Sequence, residues 1–452
     1  MPRFSRRKFL TYSSAAASSS LLLKACAPDL NQIDNALGNS ADTAPEQDRS
    51  KNLADEATPV SDRSEIIVGL LHSLSGALAV TESALIDAER LAIEEINAKG
   101  GLLGKPLVPV VEDGASDWPT FAEKTEKLIS QHGANIIFGG FTTASRKAIL
   151  PVVTAKNKLL WYPGAYEGQE CSKHIFYAGP TPNQQVKPAV NWMLGNRGKS
   201  FFLLSSDGRT IHSIVKEVLQ EKGGKVAGEA FVPWTQGTIS DMQLVIDDIK
   251  QALPDGGIIF NSLLGNHNQA FFQAVKRAGL SANRYLIMSV RVSEEEIARI
   301  GKHFFHNHYA TWRYFQTLET PKNEAWVATF KSRFGPDRVV SDPIESAYAM
   351  VHLWAQAVER AGTTDTMQVR EATYGQTLQA PSGTIKVQSN HHLSKPAHVG
   401  KIHDNGQFEI LWTSPEPIVA TPWSQELDSD QGYLCDWQNG KGERYKVDTT
   451  DA

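Results

Sequence analysis

Few residues along this chain stand at spacings that could do chemistry, and most chemistries are excluded at once. Cysteine occurs only at Cys26, Cys171 and Cys435, too few and too far apart for a zinc knuckle, an iron–sulfur cluster or a disulfide scaffold. Whether Cys171 and Cys435 pair stays open. His303, His306 and His308 form an H-x-x-H-x-H cluster, with His306 and His308 on one face of a strand. No carboxylate neighbours them in sequence, so they read as a surface strand end rather than a metal site. His391-His392 lies in a polar loop and reads the same way. Glu112-Asp113 and Asp117 follow a strand pattern, but adjacent strand residues face opposite ways and do not make an acid–base dyad. Asp117 or Ser116 reads instead as a helix cap, with Pro119 in the first turn. Gly101-Leu102-Leu103-Gly104-Lys105-Pro106 has neither the glycine spacing nor the Ser or Thr of a phosphate loop. There is no G-x-S-x-G elbow. No catalytic residue, cofactor or metal is expected, and the chain reads as a binding protein rather than an enzyme.

The composition is that of an ordinary globular protein. Of 452 residues, 41% are hydrophobic and 21% charged, and 45 basic against 50 acidic side chains leave a formal charge of −5, which is no footprint for nucleic acid. Ser5-Arg6-Arg7-Lys8-Phe9-Leu10 has the form of a twin-arginine export signal. The apolar stretch behind it, 9–23, is shorter than the roughly 20 residues that cross a bilayer. Leu23-Lys24-Ala25-Cys26 resembles a lipobox, in which Cys26 is acylated and anchors the mature protein to the membrane. An ordinary signal peptide cleaved near the Ala-rich run is the alternative. Residues 27–62 are polar with almost no large apolar side chains and read as a flexible tether.

From residue 65 onward short apolar runs alternate with amphipathic ones. The runs 66–71, 107–111, 136–138, 201–205 and 258–261 read as buried strands. Those at 84–98, 121–130, 145–155, 211–221 and 270–278 read as helices. The fold class is therefore α/β, with parallel sheets covered by helices. A length of about 300 residues in this pattern exceeds one core and points to two lobes. Such sheets bind ligand at their strand C-terminal edge. The runs 382–387, 399–403 and 408–412 read as short strands, with Asn405-Gly406 as a tight turn.

Several segments resemble the urea and short-chain-amide branch of the type I solute-binding proteins of ABC importers. They are Gly69-Leu70-Leu71-His72-Ser73-Leu74-Ser75-Gly76, Ala92-Ile93-Glu94-Glu95-Ile96-Asn97-Ala98, Val111 through Pro119, Ser145-Arg146-Lys147-Ala148-Ile149-Leu150-Pro151, Trp161-Tyr162-Pro163 with Tyr166-Glu167-Gly168, Pro182-Asn183-Gln184-Gln185 and Asn390-His391-His392. The resemblance implies two doubly wound parallel-sheet lobes joined by a three-strand hinge, a Venus-flytrap architecture. It implies lobe 1 at 65–183 plus 312–374, lobe 2 at 184–311 plus 375–420, and a C-terminal extension at 421–452, behind the signal at 1–26 and the tether at 27–62. Its partners would be a small polar solute, ABC permease subunits and, through the lipid, the membrane, with no nucleic acid.

The resemblance places the ligand between four loops. Phe141, Thr142 and Thr143 would offer hydroxyls and amides at a helix N-terminus. Tyr162, Gly164 and Tyr166 come from the second loop, where the aromatics read equally as core packing. The third loop, with Asp207, is about three residues shorter than in the family and has no aromatic. The fourth has Arg291 where small hydroxyl residues are usual. Arg291 would mean a ligand with a carboxylate, or an arginine turned to solvent. The function expected is an extracytoplasmic importer protein for urea, a short-chain amide or a related small polar solute. A small carboxylate, an amino acid, or a membrane-tethered sensor role is the alternative.

Overall fold

Every residue of Ile66–His72 (β1) is buried, as in a strand at the centre of a sheet covered on both faces. The computed structural model of the chain describes residues 64–206, 209–233 and 236–447. The twin-arginine motif, Cys26, the tether and Asp207 lie outside the described residues. Leu107–Asp113 (β2), Ile136–Gly139 (β3), Leu160–Tyr162 (β4) and Ile175–Tyr177 (β5) complete a parallel sheet ordered β2-β1-β3-β4-β5. Side chains alternate along a strand. Val68, Leu70 and Phe138 thus share a core with Ala79–Ala98 (α1), while Ile67, Leu71 and Ile137 share one with Trp118–Ser130 (α2) and Thr143–Ala155 (α3). Asp117 caps α2 by accepting the Thr120 N–H at 3.1 Å, with Pro119 in the first turn. Asp113 accepts the Leu74 N–H at 2.8 Å and the Ser75 hydroxyl at 2.7 Å, which shapes the loop after β1.

The second sheet repeats the pattern. Ser200–Ser205 (β6), Lys225–Phe231 (β7), Gly257–Ser262 (β8), Tyr285–Ser289 (β9) and Tyr309–Trp312 (β10) run parallel. Val186–Asn196 (α4) and Thr210–Glu221 (α5) cover one face through Val190, Met193, Ile214 and Val218. Ile239–Ala252 (α6), Asn266–Arg277 (α7) and Glu294–Ile300 (α8) cover the other through Met242, Ile246, Phe271 and Ile297.

Pro321–Phe334 (α9), Asp342–Ala361 (α10) and Thr366–Thr373 (α11) return to the first sheet, where Trp354 meets Phe138 edge-on at 5.8 Å. Thr377–Ala380 (β11), Gly383–Val387 (β12) and Leu393–Ser394 (β13) form a small sheet of their own. Its apolar face, with Ile385, Val387 and Leu393, packs into the first lobe's core. The assignment of 375–420 as a whole to the second lobe is corrected here. Only His398–Ile402 (β14) and Phe408–Thr413 (β15) join the second sheet, ordered β15-β14-β10-β9-β8-β6-β7. Tyr433–Asp436 (β16) and Gly442–Lys446 (β17) pair as a hairpin, and Cys171 is bonded to Cys435 across 264 residues.

The chain passes between the two sheets after β5, after β10 and between β13 and β14. Buried polar contacts tie the passages together. Arg313 donates to the Ala178 carbonyl at 2.5 Å and pairs with Asp342 at 3.4 Å, and Lys395 pairs with Glu345 at 2.5 Å. The Gln184 amide donates to the carbonyls of Leu393 and Ile418, each at 2.8 Å. Buried pairs of this kind add little net stability, yet losing one partner strands a charge in the interior.

Two histidine readings are also corrected. His391 and His392 are fully buried, stacked on Phe176 at 4.1 Å and Tyr177 at 4.4 Å, and desolvation holds both imidazoles down at about 3. Their loop is polar in sequence but is folded inward, because each ring finds an internal phenol, Tyr374 at 2.8 Å and Tyr166 at 2.6 Å. His308 is buried as well, and only His306 meets a carboxylate, Asp404 at 2.8 Å. Among the described residues no group of three or more His, Cys, Asp or Glu is placed to hold a metal ion. No helix among them is long and apolar enough to cross a membrane.

Candidate ligand-binding site

Parallel strands of both sheets deliver their following loops and helix N-termini to one edge, and a cavity of ≈ 310 Å³ lies where these two edges meet. From the first sheet come Trp118 at the start of α2, Phe141, Thr142, Thr143, Ala144 and Lys147 around the start of α3, and Ala165 and Glu167 after β4. From the second come Thr210 and Ile211 at the start of α5, Leu264 after β8, and Arg291 after β9.

Local chemistry explains why the turn before α3 is sharp. Gly139 has φ +152°, and a Cβ there would lie 2.0 Å from the Leu71 carbonyl. Thr142 is the N-cap of α3, accepting the Ser145 N–H at 3.1 Å, while the Ser145 hydroxyl oxygen takes the N–H groups of Phe141 and Thr142 at 3.1 Å each. Caps satisfy some first-turn amides. The remaining amides, of Thr143 and Ala144, start a helix whose dipole favours negative charge at this end.

Charge in the cavity is asymmetric. Glu167 accepts the Thr143 hydroxyl at 2.5 Å. Thr143 thus spends its proton on Glu167 and has only lone pairs left for a solute. Arg291 has no ion-pair partner among the described residues, nor has Lys147. Behind α3 the Arg146 guanidinium is fully buried, donating from Nε to Glu170 at 2.7 Å and lying over the rings of Tyr166 at 4.5 Å and Tyr162 at 5.0 Å.

The structure divides the expected site residues. Phe141, Thr142, Thr143 and Arg291 line the cavity. Tyr162, Gly164 and Tyr166 do not. The Tyr162 hydroxyl, fully buried, donates to the Phe141 carbonyl at 2.5 Å, and the Tyr166 hydroxyl donates to the Glu170 carbonyl at 3.0 Å. A buried phenol without a partner costs free energy, so both turn inward, and burial raises their titration above the ordinary phenol range. Gly164 is there for space, since a Cβ would sit 2.3 Å from the Phe141 carbonyl. Trp118, Lys147, Glu167, Thr210, Ile211 and Leu264 were not foreseen. Lys147 had a signal, one helical turn beyond Thr143 on the same face. Ile211 and Leu264 are apolar residues beside the third and fourth loops, and in sequence they read as core.

The sequence profile of a family described as "Periplasmic binding protein domain" matches residues 66–429. The chain belongs to the periplasmic binding protein domain family. Among its curated relatives is the leucine-, isoleucine-, valine-, threonine- and alanine-binding protein of Pseudomonas aeruginosa, 27% identical over 306 residues, 65% of this chain and 78% of that protein. A Geobacillus stearothermophilus protein named limonene hydroxylase is 35% identical over 123 residues. That match spans 27% of this chain and 23% of the other, too small a share to bring an activity across. A solved solute-binding protein of an ABC transporter from Rhodopseudomonas palustris, in complex with p-hydroxybenzoic acid, superposes with a TM-score of 0.70 at 20% identity, over 78% of this chain and 98% of that one. At that identity the likeness speaks for the fold alone. This periplasmic binding protein therefore has the two-lobed α/β fold, and its general function is that of an extracytoplasmic solute-binding protein. The family is one of binding proteins, not of catalysts.

Proposed function

We propose that this periplasmic binding protein captures a small solute bearing a carboxylate, an amino acid or small organic acid, between its lobes. The observation that carries the reading is Arg291, Lys147 and the α3 N-terminus on one cavity, whose one carboxylate among the described lining residues, Glu167, already holds the Thr143 hydroxyl. A carboxylate satisfies a guanidinium through two parallel hydrogen bonds. Glu167 keeps lone pairs for an ammonium group. The cavity of ≈ 310 Å³ is at the small end of ligand sites. The amino-acid-binding relative in Pseudomonas aeruginosa supports such a ligand.

Urea or a short-chain amide is the second reading, favoured by the segments that resemble that branch. A neutral amide leaves Arg291 without an anion when the lobes close, a cost of several kcal/mol for a desolvated charge. Thermal shift and calorimetry with L-isoleucine, L-alanine, 4-hydroxybenzoate, acetate, urea and acetamide separate the two. Stabilisation by one of the carboxylates is expected. Tight urea binding that Arg291→Ser leaves unchanged would overturn the carboxylate reading. Closure about the three passages completes the site, and the closed form is what a permease, or a sensor partner in the alternative role, reads. Twin-arginine export and a lipid on Cys26 hold the protein at the outer face of the membrane.

A further inference from the structure

The loop from β4 to β5 has to place Glu167 in the cavity without strand or helix of its own between Pro163 and His174. On its inner side it is held by Arg146, which pairs with Glu170, and by the Tyr166 hydroxyl, which meets His392 at 2.6 Å. On its outer side lies the C-terminal segment 420–437. The Gln169 N–H donates to the Pro422 carbonyl at 2.8 Å, and the Gln169 side-chain amide donates to Asp430. The Trp437 indole N–H donates to the Cys171 carbonyl at 3.2 Å, and the Cys171–Cys435 bond closes the contact. The approach is close enough that Gly168, at φ +79°, has no room for a side chain: a Cβ would stand 2.5 Å from the Pro422 carbonyl.

We propose that segment 420–437 is a disulfide-fastened strap that sets the affinity of the cleft by holding Glu167 in place, with Cys171, Cys435 and Pro422 as positioning residues. The positions on both sides of Glu167 are pinned, Tyr166 from within and Gly168 to Cys171 by the strap. Its carboxylate is therefore presented to Thr143 before any solute arrives. Ordering a loop in advance removes that cost from binding. The inference rests on the cavity being the ligand site.

The test compares wild type with Cys171→Ala/Cys435→Ala, which leaves no unpaired thiol at either position, and with Gly168→Ala, which keeps the disulfide but pushes Pro422 away. Hydrogen–deuterium exchange of peptides covering 163–172 needs no ligand. The Gln169 amide is expected to exchange at least about tenfold faster in both variants, while peptides of β1 and β8 stay protected. Calorimetry with L-isoleucine and 4-hydroxybenzoate should show a roughly three- to tenfold weaker Kd for whichever probe binds the wild type. In a Glu167→Gln background the same cysteine replacement should change Kd by less than about twofold, since the strap acts through that carboxylate. Unchanged exchange in the loop, or the same loss of affinity with Glu167→Gln, would remove the strap's role. Failure of both probes to bind wild type would count against the carboxylate reading alone, because exchange still decides the strap.

Discussion

Arg291 is the residue on which the choice of solute turns. It lines the cavity, and a hydrogen bond to a charged group is worth about 1.5–3 kcal/mol. Arg291→Ser should thus weaken a carboxylate ligand roughly 10- to 100-fold, with the melting temperature of the free protein little changed. Calorimetry with the best carboxylate from the panel measures this, and an unaltered Kd would place the arginine outside the interaction. Thr143 is a different case. Its proton goes to Glu167 and its oxygen also receives Arg146 Nη1 at 3.4 Å. Removing the hydroxyl in Thr143→Ala should cost about 0.5–1.5 kcal/mol, up to roughly tenfold in Kd. Glu167→Gln should cost a comparable amount through the same hydroxyl, and the double variant should be less than additive. Additive losses in titrations of the three variants would separate the two side chains. Phe141 and Thr143, expected on the resemblance alone, line the cavity. For Tyr162 and Tyr166 the sequence left cleft and core open, because a phenol beside a cleft and one beneath it look alike until its acceptor is known.

At the scale of elements, α3 and α8 make contrasting demands. The N-cap of α3 is Thr142, with Ser145 completing the reciprocal box. Thr142→Ala should destabilise by about 1 kcal/mol, seen as a lower denaturant midpoint with unchanged slope, and a fully unaffected midpoint would mean that the box is dispensable. The N-terminus of α8 carries Glu294, Glu295 and Glu296, all buried. Burial first of all raises Glu294 to about 8, against the Gln316 N–H it accepts at 2.8 Å, which lowers it. In the folded chain Glu294 keeps its proton across a range in which the unfolded chain has released it, so unfolding releases a proton there. Stability linked to this group is present below the unfolded carboxylate value of 4.5 and is lost as pH rises toward about 8. Glu294→Gln keeps the acceptor for Gln316 and removes the proton. Its midpoint should fall less than the wild type's between pH 5 and pH 9, and parallel decline in the two proteins would show that other groups set the slope. Neither this helix nor the burial of its three carboxylates was foreseen from the sequence. Charges on a short helix read as solvated until a second element covers them.

For the whole molecule, location and closure are the properties in question. If Cys26 is lipidated, Cys26→Ser should move the protein from the membrane fraction to the soluble extracytoplasmic fraction, and Arg6→Lys with Arg7→Lys should stop export. Fractionation and immunoblotting read both, and a Cys26→Ser protein still held by the membrane would rule the anchor out. Closure should be sensitive to the passages between the sheets. Asp342→Asn leaves the Arg313 guanidinium, already fully buried, without its carboxylate, a loss of about 3–5 kcal/mol by analogy with other broken buried pairs. Thermal denaturation measures it, and a melting temperature within a degree of wild type would show that Ala178 and Ser346 suffice.

The alternation of strands and helices, and with it an α/β fold of two parallel-sheet lobes, was determined by the sequence itself. Strand runs buried on both faces are continuously apolar and helices repeat every three to four residues, so these signals are local. What only the tertiary structure decided depends on residues far apart in the chain. The small sheet of β11 to β13 went to the first lobe because Ile385 and Val387 found Val358 and Trp354 as neighbours in one core, a preference that no local pattern encodes. His391 and His392 were drawn inside by Tyr374 and Tyr166. Cys171 met Cys435 across 264 residues, and Arg291 reached the cavity of Thr143 from the opposite sheet. Contact between such positions is a matter of how two separately built sheets are set against each other, and the energy that selects it arises from burial and charge pairing that exist only once the lobes meet.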